Sequence, residues 1–142
     1  MLLNRMPDLQ FSISHTTRPP RDAEKNGRDY YFVSHQDFQK KIQRGEFIEW
    51  ARICNDYYGT ALDSIRKGLE NGGDLLLELD VQGAATLRKN EFPGVYIFIL
   101  PPSLHELETR LKKRATESEE KIRQRLEKGK EEIKMHGLYD YI

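Results

Sequence analysis

Two arginines near the start of the chain, Arg18 and Arg21, stand on either side of a Pro-Pro pair. They belong to the segment Ser14–Arg21, which reads Ser-His-Thr-Thr-Arg-Pro-Pro-Arg. Because proline fixes its own φ and keeps the preceding residue extended, the segment predicts a stiff loop rather than a helix. Guanidinium groups on such a loop suit bidentate binding of a phosphate or a carboxylate. Taken alone, a solvated basic loop is the commoner interpretation.

Hydroxyl side chains follow this loop at two places. Tyr30 comes directly after Gly27-Arg28-Asp29, and Tyr58 stands before Gly59 and Thr60. A phenol can donate to a phosphate, and Thr60 can donate to a base or to a phosphate. The alternatives are that Tyr58 is an aromatic core residue and that Thr60 caps the helix that follows.

Two carboxylates occupy positions that suit ligand binding or catalysis. Glu49 lies in an alternating segment, Glu-Phe-Ile-Glu-Trp, and could accept from the ring N–H and the exocyclic amine of guanine; a solvated strand face is the alternative. Asp80 follows an apolar run, at the carboxyl end of a predicted parallel strand, where α/β enzymes gather catalytic groups. It could hold magnesium through water, or it could only cap the next helix.

Composition excludes several classes of protein. The chain of 142 residues has 23 Lys and Arg against 23 Asp and Glu, which argues against nucleic-acid binding through a strongly basic face. Its apolar runs are too short to span a bilayer. The single cysteine, Cys54, excludes an internal disulfide and suits a reducing compartment, so we expect a cytoplasmic protein. The four histidines lack ligand spacing, so we expect no metal site built from protein groups alone.

The element pattern predicts an α/β fold with an inserted lobe. Residues 15–73 predict small antiparallel strands with short helices, including a helix from the cap Ser34 to Arg44 and strands at 47–51 and 52–58. Residues 74–142 predict strand–helix–strand–helix, with buried strands at 74–80 and 95–100 and helices at 82–89, 103–114 and 118–136. The last four residues predict the beginning of another strand.

Together these segments resemble the guanylate kinase family, in order and spacing, over essentially the whole chain. The matching stretches are Ser14–Arg21, Gly27–Phe32, Phe47–Ala51, Tyr57–Thr60, Leu79–Gly83, Ile97–Ser103, and Arg114 with Ser118–Arg125. The resemblance implies a parallel-sheet core of the P-loop kinase type, residues 74–142, with a helical lid near 112–118. It also implies that the lobe at 15–73 binds GMP.

The resemblance also implies a reaction, the transfer of the γ-phosphoryl group of ATP to GMP, with magnesium carried by ATP. It further implies roles for individual residues. The residues that match ligands of the GMP phosphate are Arg18, Arg21, Tyr30 and Tyr58, and the residues that match the guanine-reading set are Glu49, Ser14 and Thr60. Asp80 matches the acidic residue near GMP and magnesium. Arg114 and Arg125 match the lid and core arginines that bind phosphates during transfer, with Arg110 in support.

The chain departs from the family pattern at both ends. No segment carries the Gly-rich loop ending Gly-Lys-Ser/Thr that cradles ATP phosphates. The first residues resemble those just after that loop, and Tyr139–Ile142 resembles the start of the strand leading to the adenine-side contacts. We therefore expect a fragment that binds GMP weakly and does not transfer phosphate alone.

Two rival hypotheses follow from the same residues. A guanylate-kinase-like scaffold would use the GMP lobe to bind a partner peptide, although the retained acceptor set, Asp80 and lid arginines favour an enzyme. A kinase for another nucleoside monophosphate is disfavoured because Glu49 and the Tyr57–Thr60 turn suit guanine. The sequence does not indicate an oligomeric state.

Overall fold

A computed structural model describes residues 2–53, 55–70, 72–113 and 119–142. The chain divides into two compact units, residues 1–87 and 88–142. Cys54, Arg114 and Ser118 lie outside the described residues, as does most of the expected lid segment. Within the described ranges, no helix is both long and apolar enough to cross a membrane.

The first unit holds the strands that the described residues form. They are β1 (Leu9–Phe11), β2 (His15–Thr16), β3 (Tyr31–Phe32), β4 (Phe47–Ile53), β5 (Asp56–Ala61) and β6 (Asp74–Leu76). The helices are α1 (His35–Gln43), α2 (Leu62–Leu69) and α3 (Val81–Lys89), the last continuing past the division between the units, and a 3-10 turn covers Leu2–Asn4. β1 and β6 form a parallel pair, in agreement with the α/β prediction.

The small lobe is a four-stranded sheet in the order β3-β2-β5-β4. β2 pairs antiparallel with β5, and β5 with β4, whereas β2 and β3 run parallel. Side chains alternate between the two faces of a strand, so Thr16 and its partner Tyr58 share one face, and Thr60 follows on it. This alternation separates the candidate binding residues from the residues that pack against α1.

Helix α1 closes the opposite face of this sheet. Phe38 is fully buried and stacks on Phe47 and Tyr57, with ring centroids 4.4 and 5.4 Å apart. A Cβ on Gly59 would lie 3.0 Å from the Phe38 ring, so glycine permits this close approach. The predicted cap is confirmed, since the Ser34 hydroxyl accepts from the Asp37 amide at 3.0 Å.

The sequence predictions for the cap of α2 and for the bounds of the hairpin strands are wrong. Thr60 does not cap α2: it lies in β5, and Ala61 takes the N-cap position. The first strand of the hairpin extends to Ile53 and the second begins only at Asp56, because the pairing of the two strands, rather than local propensity, fixes their ends.

The two buried parallel strands predicted for the core are also not formed as expected. The strand at 74–80 is limited to Asp74–Leu76, and its leucines are only half-buried. At 95–100 the described chain has no regular strand, only a parallel bridge between Ile97 and Tyr141. The predicted burial is wrong as well, since Ile97 and most of the other apolar side chains of this run are exposed. Among the described residues β6 has a partner on one edge only, and a strand without a hydrogen-bonded ladder is not a regular strand.

The second unit consists mainly of two helices, α4 (Leu104–Lys113) and α5 (Glu119–Ile133), followed by a 3-10 turn at Lys134–Leu138. Ser103 caps α4, because its hydroxyl accepts from the Glu106 amide at 3.1 Å. Arg88 donates to the carbonyl of Leu138 and to the carboxylate of Asp140, which also accepts from the Tyr96 amide. These contacts join the two ends of the unit.

Candidate functional site

The arginine loop after β2 holds Arg18 in a defined position. Its Nη2 donates to Glu24 Oε1 at 2.9 Å, and its Nη1 donates to the carbonyl of Pro19 at 2.7 Å. The guanidinium lies over the Tyr30 ring, 5.6 Å from the centroid, and only 16% of the side chain is exposed. The Glu24 carboxylate, with a smaller contribution from the Tyr58 hydroxyl, raises the pKa of Arg18. Arg18 is therefore a fixed, permanent cation.

Glu24, which no sequence pattern singles out, joins the two arginines of the loop. Its Oε2 accepts from the backbone amide of Arg21 at 2.8 Å, and its Oε1 lies 3.8 Å from Arg21 Nη1. The hydrogen bond from Arg18 holds the pKa of Glu24 below its usual range. Arg21 itself is 60% exposed and remains accessible to a ligand. The only sequence signal was an acidic residue three positions after Arg21.

Two tyrosines stand beside Arg18. The rings of Tyr30 and Tyr58 meet edge to face with centroids 6.1 Å apart. Burial raises the pKa of Tyr30, and the nearby Glu78 adds to the rise, so its hydroxyl remains a proton donor at neutral pH. Ser14 and Tyr30 line a small cavity of about 30 Å³ together with Phe11, Asp29 and Glu78. The structure thus brings together the loop residues and the hydroxyls that the sequence grouped.

Glu49 lies on β4 opposite Thr60 of β5, and both residues are buried, with 6% and 0% of their surfaces exposed. Burial raises the pKa of Glu49, the nearby hydroxyl and amide of Thr60 oppose the rise, and the charge of Asp80 adds to it. The Thr60 hydroxyl makes no hydrogen bond of good geometry to any described residue. A buried carboxylate beside an unsatisfied hydroxyl costs free energy unless a ligand completes their hydrogen bonds.

Helix α3 begins directly against this carboxylate. A Cβ on Gly83 would lie 2.6 Å from Glu49 Oε2, so only glycine fits at this position without a shift. Asp80 caps the helix, because its Oδ1 accepts from the Gly83 amide at 2.8 Å. The start of α3 carries partial positive charge that favours the ionised Glu49. Gly83 was missed because its contact joins segments far apart in the chain.

The remaining predicted residues belong to the second unit. Arg110 donates to Glu106 Oε1 on its own helix at 2.7 Å, and Arg125 lies on an exposed part of α5. Arg114 lies outside the described residues. Over the described ranges, no group of three or more His, Cys, Asp and Glu side chains could hold a metal ion.

Comparison with known proteins gives a consistent result. The guanylate kinase family model matches residues 1–142. A curated guanylate kinase from Syntrophus aciditrophicus is 48% identical over the whole chain, which covers 68% of that protein. One from Caldanaerobacter subterraneus is 46% identical over 99% of the chain and 68% of its own length.

A crystal structure of guanylate kinase from Anaplasma phagocytophilum has the same fold. It superposes with a TM-score of 0.79 at 34% identity, over 99% of this chain and 69% of that one. The chain thus spans about two thirds of the length of these relatives. A match over the full sequence, together with the shared fold, shows that the chain belongs to the guanylate kinase family.

Proposed function

We propose that this chain binds GMP and provides the acceptor side of phosphoryl transfer from ATP to GMP, which yields ADP and GDP. The observation that carries the proposal is the buried Glu49 carboxylate opposite the unpartnered Thr60 hydroxyl. Guanine offers two adjacent donors, its ring N–H and its 2-amino group, to such a carboxylate. Adenine lacks this pair, so Glu49 selects guanine, with Ser14 and Thr60 as its companions in base recognition.

The phosphate of GMP would bind at the arginine loop. Arg18 and Arg21 supply the charge, and the hydroxyls of Tyr30 and Tyr58 donate the remaining hydrogen bonds. The hydrogen bond from Arg18 to Glu24 fixes the position of the guanidinium. Because Arg18 is already held in place by Glu24, the phosphate can form charge-assisted hydrogen bonds to it at little cost in side-chain ordering.

Transfer itself needs charge neutralisation and alignment rather than covalent work by side chains. We assign Asp80, Arg114 and Arg125 to the reaction centre, with Arg110 in support, and place the core with its lid at residues 74–142. One oxygen of Asp80 is engaged by the Gly83 amide, while the other has only a 3.5 Å contact with Gln82. Magnesium bound to ATP supplies charge stabilisation at the transferred phosphate. We further propose a cytoplasmic location, where both nucleotides are available.

Calorimetry with GMP and AMP, joined to a coupled assay for ADP release, tests this function. We expect weak GMP binding that is at least roughly tenfold tighter than AMP binding, because AMP leaves Glu49 unpaired. We expect negligible turnover from these 142 residues, which contain no Gly-Lys-Ser/Thr loop for ATP. Equal affinity for AMP would indicate a different monophosphate kinase, and turnover near that of an intact kinase would refute the inactivity.

A second candidate function rests on the arginine loop alone. The group formed by Arg18, Arg21, Tyr30 and Tyr58 recognises a phosphate monoester whatever is attached to it. A non-catalytic interaction domain would use this group to bind a phosphorylated partner peptide. Binding of phosphopeptides without binding of GMP in the same calorimeter would favour this alternative.

A further inference from the structure

A second cavity lies on the opposite side of the strands that carry the candidate GMP site. Its volume is about 400 Å³, within the range of small-molecule sites. Ser14 and Tyr30 line the small cavity beside the arginine loop, whereas their chain neighbours His15 and Tyr31 line this one. Adjacent residues of a strand point to opposite faces, so the two cavities open on different faces of these strands, although Phe11 lines both. None of the residues assigned to GMP binding lines the larger cavity.

The wall of this cavity contains buried polar atoms without partners. Ser12 is only 3% exposed, and neither its hydroxyl nor Nδ1 of His15 has a hydrogen bond among the described residues. Burial, reinforced by the charge of Lys41, lowers the pKa of His15 to about 4, so its ring is neutral at pH 7. Unsatisfied buried groups are uncommon because each costs free energy, and a polar ligand would satisfy them.

The start of helix α2 also lines the cavity. Its N-cap is Ala61, which has no side chain able to cap, and Asp63 and Ser64 of the first turn line the wall. The first amides of a helix have no carbonyl partner within it, and they carry partial positive charge. Only the Leu62 amide has a partner described outside the helix, the carbonyl of Glu46 at 2.9 Å. An anion is the ligand that this uncapped end favours.

The charged side chains of the wall are more positive than negative. Lys41 and Lys67 line it together with one carboxylate, that of Asp63. Lys67 Nζ pairs with Asp63 Oδ2 at 2.7 Å, and Lys41 Nζ pairs with Glu46 Oε2 at 2.8 Å. These pairs are part-exposed and weak, so an anion with more than one charge can compete for both ammonium groups.

We propose that this cavity binds a phosphate group, with the α2 amides, Lys41 and Lys67 around its oxygens and Ser12 and His15 completing the hydrogen bonds. The phosphate could come free or as part of a small metabolite, since the volume exceeds what one phosphate needs. The inference does not depend on GMP binding, because the residues of the two cavities that carry the chemistry are different.

Two-dimensional NMR titrations of the full chain with inorganic phosphate and with glycerol 3-phosphate test the site. The backbone amide of Ser64 reports on the α2 end and that of Tyr58 on the arginine loop, so the two curves separate. Lys41→Gln should weaken the Ser64 curve about threefold to fivefold and leave the Tyr58 curve unchanged. Lys67→Gln is a second variant with the same expected effect.

Lys40→Gln is the matched control. Lys40 precedes Lys41 on α1, is paired with Asp37, and does not line the cavity, so its replacement should leave both curves unchanged. A Ser64 amide that does not respond to either compound would refute the site. Equal weakening by Lys40→Gln and Lys41→Gln would also refute it, since it would show only general charge attraction. Tighter binding of glycerol 3-phosphate than of inorganic phosphate would identify a metabolite as the ligand.

Discussion

At the scale of single residues, Glu49 combines a stability cost with a recognition role. Its carboxylate is buried, its pKa is raised by that burial, and its charged form is therefore disfavoured by the fold. A group whose pKa is higher in the folded than in the unfolded protein destabilises the fold above that pKa. The same charge is what two guanine donors require, so the free protein retains a penalty that GMP offsets.

Replacing Glu49 by glutamine separates these two effects. We expect the free energy of unfolding at pH 7 to rise by about 1 kcal/mol, because a neutral amide is cheaper to bury than a carboxylate. We expect GMP affinity to fall by about 1–3 kcal/mol, because the amide presents donors to the donors of guanine. Urea unfolding measures the first change and calorimetry the second. The gain in stability should shrink as the pH falls through the raised pKa of Glu49, where the wild-type carboxyl is also neutral.

Glu46→Gln is the matched control on the same segment. Glu46 pairs with Lys41, whose hydrogen bond lowers the pKa of Glu46, so its charged form is favoured by the fold. This replacement should lower stability slightly or leave it unchanged, and it should leave GMP affinity unchanged. If Glu49→Gln lowered stability in the same way, the carboxylate would be a structural partner rather than a binding group.

At the scale of elements, the separation of β4 and α3 sets the position of the base-reading carboxylate. The Gly83 position lies against Glu49 Oε2, and Asp80 fixes the start of the helix through the Gly83 amide. The first turn of α3 therefore acts as a stop for the Glu49 side chain. A larger residue at this point would have to displace either the carboxylate or the helix.

We expect Gly83→Ala to reduce the preference for GMP over inosine monophosphate, which lacks the 2-amino group. A displaced carboxylate no longer reaches both guanine donors, so the preference should fall by roughly tenfold. Competition calorimetry with both nucleotides measures this ratio. If Gly83 had only a structural role, Gly83→Ala would weaken the binding of both nucleotides equally and leave the ratio of their affinities unchanged. Gly137→Ala is the control, since a Cβ at Gly137 meets nothing within 4 Å.

Sequence predictions were accurate where the structure depends on residues close together in the chain, and less accurate where it depends on distant ones. Helix α1 was predicted closely because the features that bound it are local: the Ser34 cap begins it, and Gly45 follows its end with a φ of +64°. Thr60 was misassigned because the register of β4 and β5, a longer-range property, keeps it in the strand. The apolar run at 95–100 forms no ladder and is mostly exposed, because a buried strand needs hydrogen-bonded neighbours and a covering layer that apolarity alone does not supply.

The candidate site shows the same division. Residue types and spacing along the chain were sufficient to group Arg18 with Tyr30 and Tyr58, and the structure brings them together. Glu24 and Gly83 were missed because their roles depend on contacts with groups elsewhere in the fold, an arginine pair and a buried carboxylate. Sequence patterns reveal the groups that a ligand meets, but not the groups that hold these in place.

At the scale of the whole molecule, the dependence of stability on pH should be dominated near neutrality by His15. Its ring lies between Tyr31 and Phe47, and its pKa is about 4 in the folded protein against 6.5 for an unperturbed histidine. Between these values the unfolded chain binds a proton that the folded chain does not, so stability falls as the pH drops through this window. The loss should be on the order of 2 kcal/mol by pH 4.5.

Urea unfolding between pH 7.5 and 5, in proteins that also carry Glu49→Gln, isolates this effect from that of the carboxylates. The Glu49→Gln background removes the carboxyl whose raised pKa would change stability in the opposite direction. Glu24 and Asp140 have lowered pKa values, so their stabilising charges are lost only at more acidic pH. In His15→Asn, whose side chain does not titrate, most of the decline between pH 7.5 and 5 should disappear. His136→Asn, at an exposed position, should keep the wild-type decline. An unchanged decline in His15→Asn would show that the buried imidazole is not the group responsible, and would remove the neutral histidine from the wall of the second cavity.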